Sequence, residues 1–131
     1  MKKTFLILIA FLTLFSYSPV QAETVTKSDV QLRDDLIYIL LYPSIQQELE
    51  KQYGEIKQIE CGNIIQIKKP PQGGYSFNVT VQATTFEGAH NPPYDLVTIT
   101  FSNVKTIEWQ TIDFKRRRLK PNEITKCSHS L

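Results

Sequence analysis

The sequence predicts an α+β domain in which an N-terminal helical region packs on a four-stranded antiparallel meander. Three observations carry this reading. Apolar residues recur at helical spacing up to Gly54, the period changes to two after Gly54, and the strand-like stretches then follow one another without the helices that a parallel α/β sheet needs between its strands. A cystatin-like wrap of sheet around helix is the first architecture this order suggests.

The first 22 residues stand apart from that domain. Lys2 and Lys3 form a basic start, Phe5 to Phe15 is an apolar stretch interrupted by Thr13, and Val20-Gln21-Ala22 places small or slim residues at a cleavage position. Pro19 cannot continue a helix and leaves the residues after it extended for a protease. The apolar part is shorter than the roughly 20 residues needed to cross a bilayer. Residues 1–22 therefore read as a cleaved signal peptide, and the chain as secreted or held at the extracellular face of the cell envelope. Removing 22 of 131 residues leaves 109, enough for one domain and too few for two. Residues 23–115 are expected to form that domain and 116–131 a basic C-terminal tail.

Charge narrows the partners. The formal net charge of +2 comes from Lys2 and Lys3, because the other 13 basic residues balance 13 acidic ones, all of which follow Ala22. A near-neutral mature chain excludes a global attraction to nucleic acid. The cluster Lys115, Arg116, Arg117, Arg118, Lys120 and Lys126 leaves room only for weak contact of the tail with an anionic surface.

Ser28 followed by Gln31 has the form of a capping box, with Asp29 in the first turn, and predicts a helix start there. Leu36 to Tyr42 is apolar or aromatic throughout and predicts a helix covered from several sides. Pro43 lacks a donor, so the helix either kinks there or ends and restarts. Ile45, Leu49 and Tyr53 then mark one face, and Gly54 a terminus.

Ile59, Cys61, Ile65 and Ile67 share one parity and predict the first strand, which stops at the Pro70-Pro71-Gln72-Gly73-Gly74 turn. Tyr75, Phe77, Val79, Val81 and Ala83 alternate with polar residues in a second strand that should form a hairpin with the first. Residues 86–95 read as loop, and Val97, Ile99 and Phe101 as a third strand. Ile107 and Trp109 share one parity while Ile112 and Phe114 share the other, which predicts a bulge near Thr111 in the fourth.

The residues that could carry chemistry collect in the loop 86–94, where Glu87, His90, Asn91 and Tyr94 form the candidate binding set. Glu87 and His90 are the types for an acid–base pair or a metal, Asn91 could orient a ligand, and Tyr94 offers a ring and a hydroxyl. No nucleophile, second histidine or complete ligand set accompanies them, so the pattern implies no metal and no cofactor. Three readings follow: a module binding a cell-surface protein or ligand, a metal-assisted or acid–base hydrolase using this loop, and a purely structural surface domain. Cys61 and Cys127 would meet an oxidising exterior and could pair, or remain two free thiols.

Leu40-Leu41-Tyr42-Pro43-Ser44-Ile45 ahead of Tyr53-Gly54, together with Thr84-Thr85-Phe86-Glu87-Gly88-Ala89-His90-Asn91-Pro92-Pro93-Tyr94, resembles domain of unknown function family 3888 over roughly residues 30 to 114. Asp95 stands where that pattern often has glycine after the loop tyrosine. The resemblance implies a small exported protein of spore-forming Gram-positive bacteria, with a helix feeding a strand-rich half. It implies no activity, cofactor or site residue.

Overall fold

The computed structural model describes residues 26–71 and 73–123. The signal peptide expected over 1–22, Gln72, Cys127 and the tail beyond Glu123 lie outside the described residues. Helix α1 (Lys27–Tyr53) is followed by strands β1 (Gln58–Lys68), β2 (Asn78–Glu87), β3 (Asn91–Ser102) and β4 (Gln110–Arg118), then a short 3-10 turn at Pro121–Glu123. All neighbouring strands are antiparallel, and their order across the sheet is the order of the chain. The fold is the expected α+β arrangement, one helix on a four-stranded meander.

The N-cap of α1, Thr26, lies two residues before the expected one. The Thr26 hydroxyl accepts from the Asp29 N–H at 3.2 Å, and the Asp29 carboxylate accepts from the Thr26 N–H at 3.0 Å, so Thr-x-x-Asp performs the reciprocal capping assigned to Ser28 and Gln31. The bonds to the Thr26 side chain and backbone hold the Asp29 carboxyl below its ordinary value. Helical assignment runs through Pro43 rather than ending and restarting. Pro43 and Ile39, whose carbonyl loses its donor there, both lie on the exposed side of the helix, where water can replace the missing bond. Gly54 ends α1 at φ 76°, with its N–H donating to the Glu50 carbonyl at 2.8 Å.

One face of α1 makes the core. Tyr38, Leu41, Ile45 and Leu49 are buried against Val79, Val81 and Ala83 of β2 and Val97, Ile99 and Phe101 of β3. The register pairs Val79 with Phe101, Val81 with Ile99 and Ala83 with Val97, which puts these side chains on one face of the sheet. The apolar run Leu36–Tyr42 is covered from that side only. Leu36, Ile39 and Leu40 remain 59%, 51% and 68% exposed, contrary to the expectation of cover all round.

The strand assignments shift in three places. β1 carries two register irregularities, between Glu60 and Asn63 and between Ile64 and Gln66. Each adds a residue and reverses the parity, so Ile59, Ile64 and Ile67 align with core-facing partners while Cys61 and Ile65 drop out of the expected set. β2 begins at Asn78, leaving Tyr75 fully in solvent and Phe77 only partly buried at the rim. In β4 the predicted bulge falls at Ile112, where Thr100 faces Asp113 but the next residue, Phe101, faces Thr111; Phe114 thereby joins the core side opposite Ile99. Ile107 is exposed and precedes the strand, whereas Trp109 packs on the edge of the core.

The first β1 bulge makes room for an aromatic ring. A Cβ at Gly62 would lie 2.0 Å from Tyr38 Cζ and 2.1 Å from its hydroxyl oxygen, so only glycine lets the ring pass. The neighbouring Cys61 takes up the turn of the chain at φ 53°. Burial pushes the Tyr38 phenol up to about 12. Gly62→Ala is expected to destabilise the fold by about 1–3 kcal/mol through overpacking. Most of that loss should vanish in a Tyr38→Ala background, and a denaturant double-mutant cycle reads the coupling.

Tyr38 also sets an alkaline limit. A phenol whose folded value is raised stabilises the fold fully below its unfolded value of about 10 and loses that contribution as pH rises through the folded value. Stability followed across pH 9 to 12.5 should therefore fall more steeply in the wild type than in Tyr38→Phe. Equal slopes would show that the phenol is not shielded.

Candidate functional site

The predicted loop 86–95 is a tight hairpin. β2 runs to Glu87, residues 88–90 turn with Gly88 at φ 52° and His90 at φ 58°, and β3 starts at Asn91, with a cis peptide between Pro92 and Pro93. The Tyr94 hydroxyl donates to the His90 carbonyl across the turn. The imidazole of His90 stacks on Phe86 at 4.2 Å and 16°, and its Nδ1 lies 3.0 Å from Glu60 Oε2. Glu87 accepts from Lys57 Nζ at 2.8 Å. Asn91 is exposed beside Gly88.

The hairpin ties Glu87, His90 and Tyr94 to separate partners. Glu87 is tied to the segment entering β1, His90 to β1 itself, and Tyr94 to the turn backbone. Among the described residues no group of three or more histidine, cysteine or carboxylate side chains could hold a metal ion.

A denser polar cluster sits just inside the hairpin, where the sheet runs past the end of the core. Thr85 of β2 pairs with Asp95 of β3, on the parity of the core residues, and both are buried. Asp95 accepts from the Tyr53 hydroxyl at 2.9 Å and from Arg118 Nε at 2.5 Å, joining the last turn of α1 to β3 and β4. Burial, with the neighbouring Asp95, holds the Tyr53 phenol above its ordinary value, partly opposed by bonds to Thr85 and Arg116. Arg116 lies 5.1 Å from the centre of the Tyr53 ring and Lys57 5.3 Å from it. Lys57 is itself buried, held by Glu55 at 2.6 Å and Glu87 at 2.8 Å, and these bonds raise its ammonium above the usual lysine value.

Two hollows adjoin this cluster. A cavity of about 140 Å³ is bounded by Tyr53, Lys57, Glu87, Asp95, Arg116 and Arg118, among others. A shallower groove of about 780 Å³ runs between α1 and the start of β1, past Tyr42, Gln46, Gln47, Ile56 and Ile59. Lys57 and Phe86 line both.

Arg116, Arg117 and Arg118, expected to open the tail, belong to β4, where their sides alternate. Lys115 pairs with Asp113 at 2.9 Å and Arg117 with Glu123 at 2.8 Å, which neutralises much of the basic run. The cluster around Asp95 was missed in the sequence although a signal was present. Asp95 precedes Val97, Ile99 and Phe101 at spacing two, and Arg116 and Arg118 follow Phe114 in the same way, so charged residues continue the core parity beyond the apolar ones.

Among the described residues, fold and site define one helix packed on one antiparallel sheet, with a buried polar cluster at the end of the sheet bearing the β2–β3 hairpin. The chain belongs to the family described as protein of unknown function, DUF3888, whose model matches residues 33–117. Comparison with curated proteins and with solved structures finds no match.

Asp95→Ala would leave the Tyr53 hydroxyl and the Arg118 guanidinium without their shared acceptor. A loss of about 1–3 kcal/mol is expected, and Tyr53→Phe should add little to it. Additive losses in denaturant unfolding would mean that the two side chains do not act as one unit.

Proposed function

We propose that this protein is an exported, non-catalytic binding module that holds an extended segment of a partner in the groove between α1 and β1. The groove itself carries the reading: about 780 Å³ of open space in which apolar Ile56 and Ile59 alternate with the amides of Gln46 and Gln47 and the ring of Tyr42. Ile56 is 76% exposed, an apolar anchor that a ligand would cover. Among the described residues β1 is an edge strand of the sheet, so an extended segment could pair along its outer side while side-chain hollows select it.

Export is supported by two features. The first 22 residues have the signal-peptide pattern, and Cys61 is disulfide-bonded, the chemistry of an oxidising compartment. Cys127 is the only other cysteine of the sequence and the partner this proposal assigns to it. The β2–β3 hairpin, with Glu87 and His90 each bound to a β1-side partner, then serves as a rigid flank of the groove rather than as a reactive loop.

One experiment tests both parts. Protein recovered from the medium of an expressing host should begin at Glu23 by mass spectrometry, and should select sequences from a displayed library of random twelve-residue peptides. Selected peptides should bind at least tenfold more weakly to Ile56→Asp or Gln46→Arg and equally to Tyr75→Ser, at the opposite end of the sheet. Retention of Met1 to Ala22 removes the export reading, and binding insensitive to the groove variants removes the binding site.

A further inference from the structure

We infer that the cavity beneath the β2–β3 hairpin is a carboxylate-binding subsite, in which a ligand carboxylate is taken by the guanidinium groups of Arg116 and Arg118. The argument starts from how the four consecutive cations of β4 are satisfied. Lys115 has Asp113, Arg117 has Glu123 through two bonds, and Arg118 has Asp95. Arg116 alone has no carboxylate partner among the described residues; its contacts are the ring and hydroxyl of Tyr53. It shares the core-facing parity with Arg118, so both project toward the same cavity, which they line.

Arg118 uses only Nε on Asp95, and its terminal nitrogens make no side-chain hydrogen bond among the described residues. Two planar forks with unused donors thus border a space of about 140 Å³, and paired guanidinium donors match the two oxygens of a carboxylate.

The charge balance selects the class of anion. Lys57, Arg116 and Arg118 line the cavity against Glu87 and Asp95, and Glu55 lies 2.6 Å from Lys57 outside the lining, so the six charges sum to zero. Glu55 and Glu87 share Lys57 and Asp95 is bound to Arg118, so among the described residues Arg116 is the lining cation without a carboxylate of its own. A monoanionic carboxylate matches the single charge of Arg116, whereas a dianionic phosphate would bring a larger excess of negative charge beside Glu87 and Asp95. Tyr53 supplies a fixed floor, since its hydroxyl is held by Asp95 and its ring lies under the Arg116 cation. The subsite does not require the groove to be occupied, and its test is independent of the peptide selection.

The test is a titration of the full secreted chain with acetate, inorganic phosphate and chloride at constant ionic strength, followed by the NMR signals of the arginine side-chain N–H groups. Acetate should shift the Arg116 and Arg118 signals saturably. Its affinity should fall at least tenfold in Arg116→Gln, recover in part in Arg116→Lys, and stay unchanged in Arg117→Gln on the opposite face. Wild-type dispersion in the backbone spectrum of each variant establishes that it is folded. Should Arg116→Gln not fold, Arg116→Lys and Arg117→Gln decide the matter, the first expected to weaken acetate binding and the second not. Shifts that remain linear, that chloride reproduces, or that Arg117→Gln weakens as much as Arg116→Gln would overturn the subsite. Tighter binding of phosphate than of acetate would overturn its assignment to a carboxylate.

Discussion

A single seam keeps this chain folded. Leu41, Ile45 and Leu49 of α1 meet Val81, Val97, Ile99 and Phe101 of the two central strands, and these seven are the largest fully buried side chains among the described residues. Each contributes about 1.5–3 kcal/mol by leaving water, set against a net stability that for a small domain is only about 5–15 kcal/mol. Among the described residues no second core shares the load, so everything else must be placed without disturbing that contact. The Gly62 notch is one result: the edge strand bends so that Tyr38 can extend the seam toward the N-terminal half of the helix.

At the other end the seam has to stop. The helix reaches Gly54 while the sheet continues, and the strand faces that would carry apolar side chains have no helix left to cover them. Polar residues take over there: Thr85 and Asp95 on the central strands, Arg116 and Arg118 on β4, Tyr53 from the last turn of α1. Asp95 is affordable at 5% exposure because it accepts from both Tyr53 and Arg118. The same bonds fix where α1 ends relative to β3 and β4. A contact required by the geometry of the fold therefore also creates a hollow lined mostly by charged and polar side chains.

How much of this was legible in the sequence depends on how far each signal stays local. The central strands were readable because Val79, Val81, Val97, Ile99 and Phe101 alternate without interruption, and the Ile112 bulge announced itself by a change of parity. β1 was misread because its two bulges each reverse the alternation; Cys61 and Ile65 kept the pattern on paper while Ile64 took the core position. The helix misled in a different way. Leu32, Leu36, Ile39 and Leu40 form an apolar stripe on the side away from the core, 51–68% exposed, and periodicity alone could not tell which face the sheet would choose. At the site, residue type drew attention to Glu87 and His90, yet their partners, Lys57 and Glu60, lie some thirty positions away in the sequence. The Asp95 cluster spans α1, β3 and β4, and only tertiary pairing reveals it.

The placement of Lys57 links the two hollows. Its ammonium is bound by Glu55 and Glu87 and approaches the Tyr53 ring, while its chain and Phe86 form the wall between the groove and the cavity. Phe86 is in turn covered by the stacked His90, whose ring is held by Glu60 of β1. A segment lying in the groove would press on this wall from one side, and a carboxylate held by Arg116 and Arg118 would draw on the same charges from the other. Displacing Lys57 would release Glu87, leaving its carboxylate and that of Asp95 on the lining of the same cavity. The proposed groove site and carboxylate subsite thus share a buried cation, Lys57, in the wall between them. The stiff hairpin, anchored by Tyr94 on the His90 carbonyl, is what keeps that wall in place.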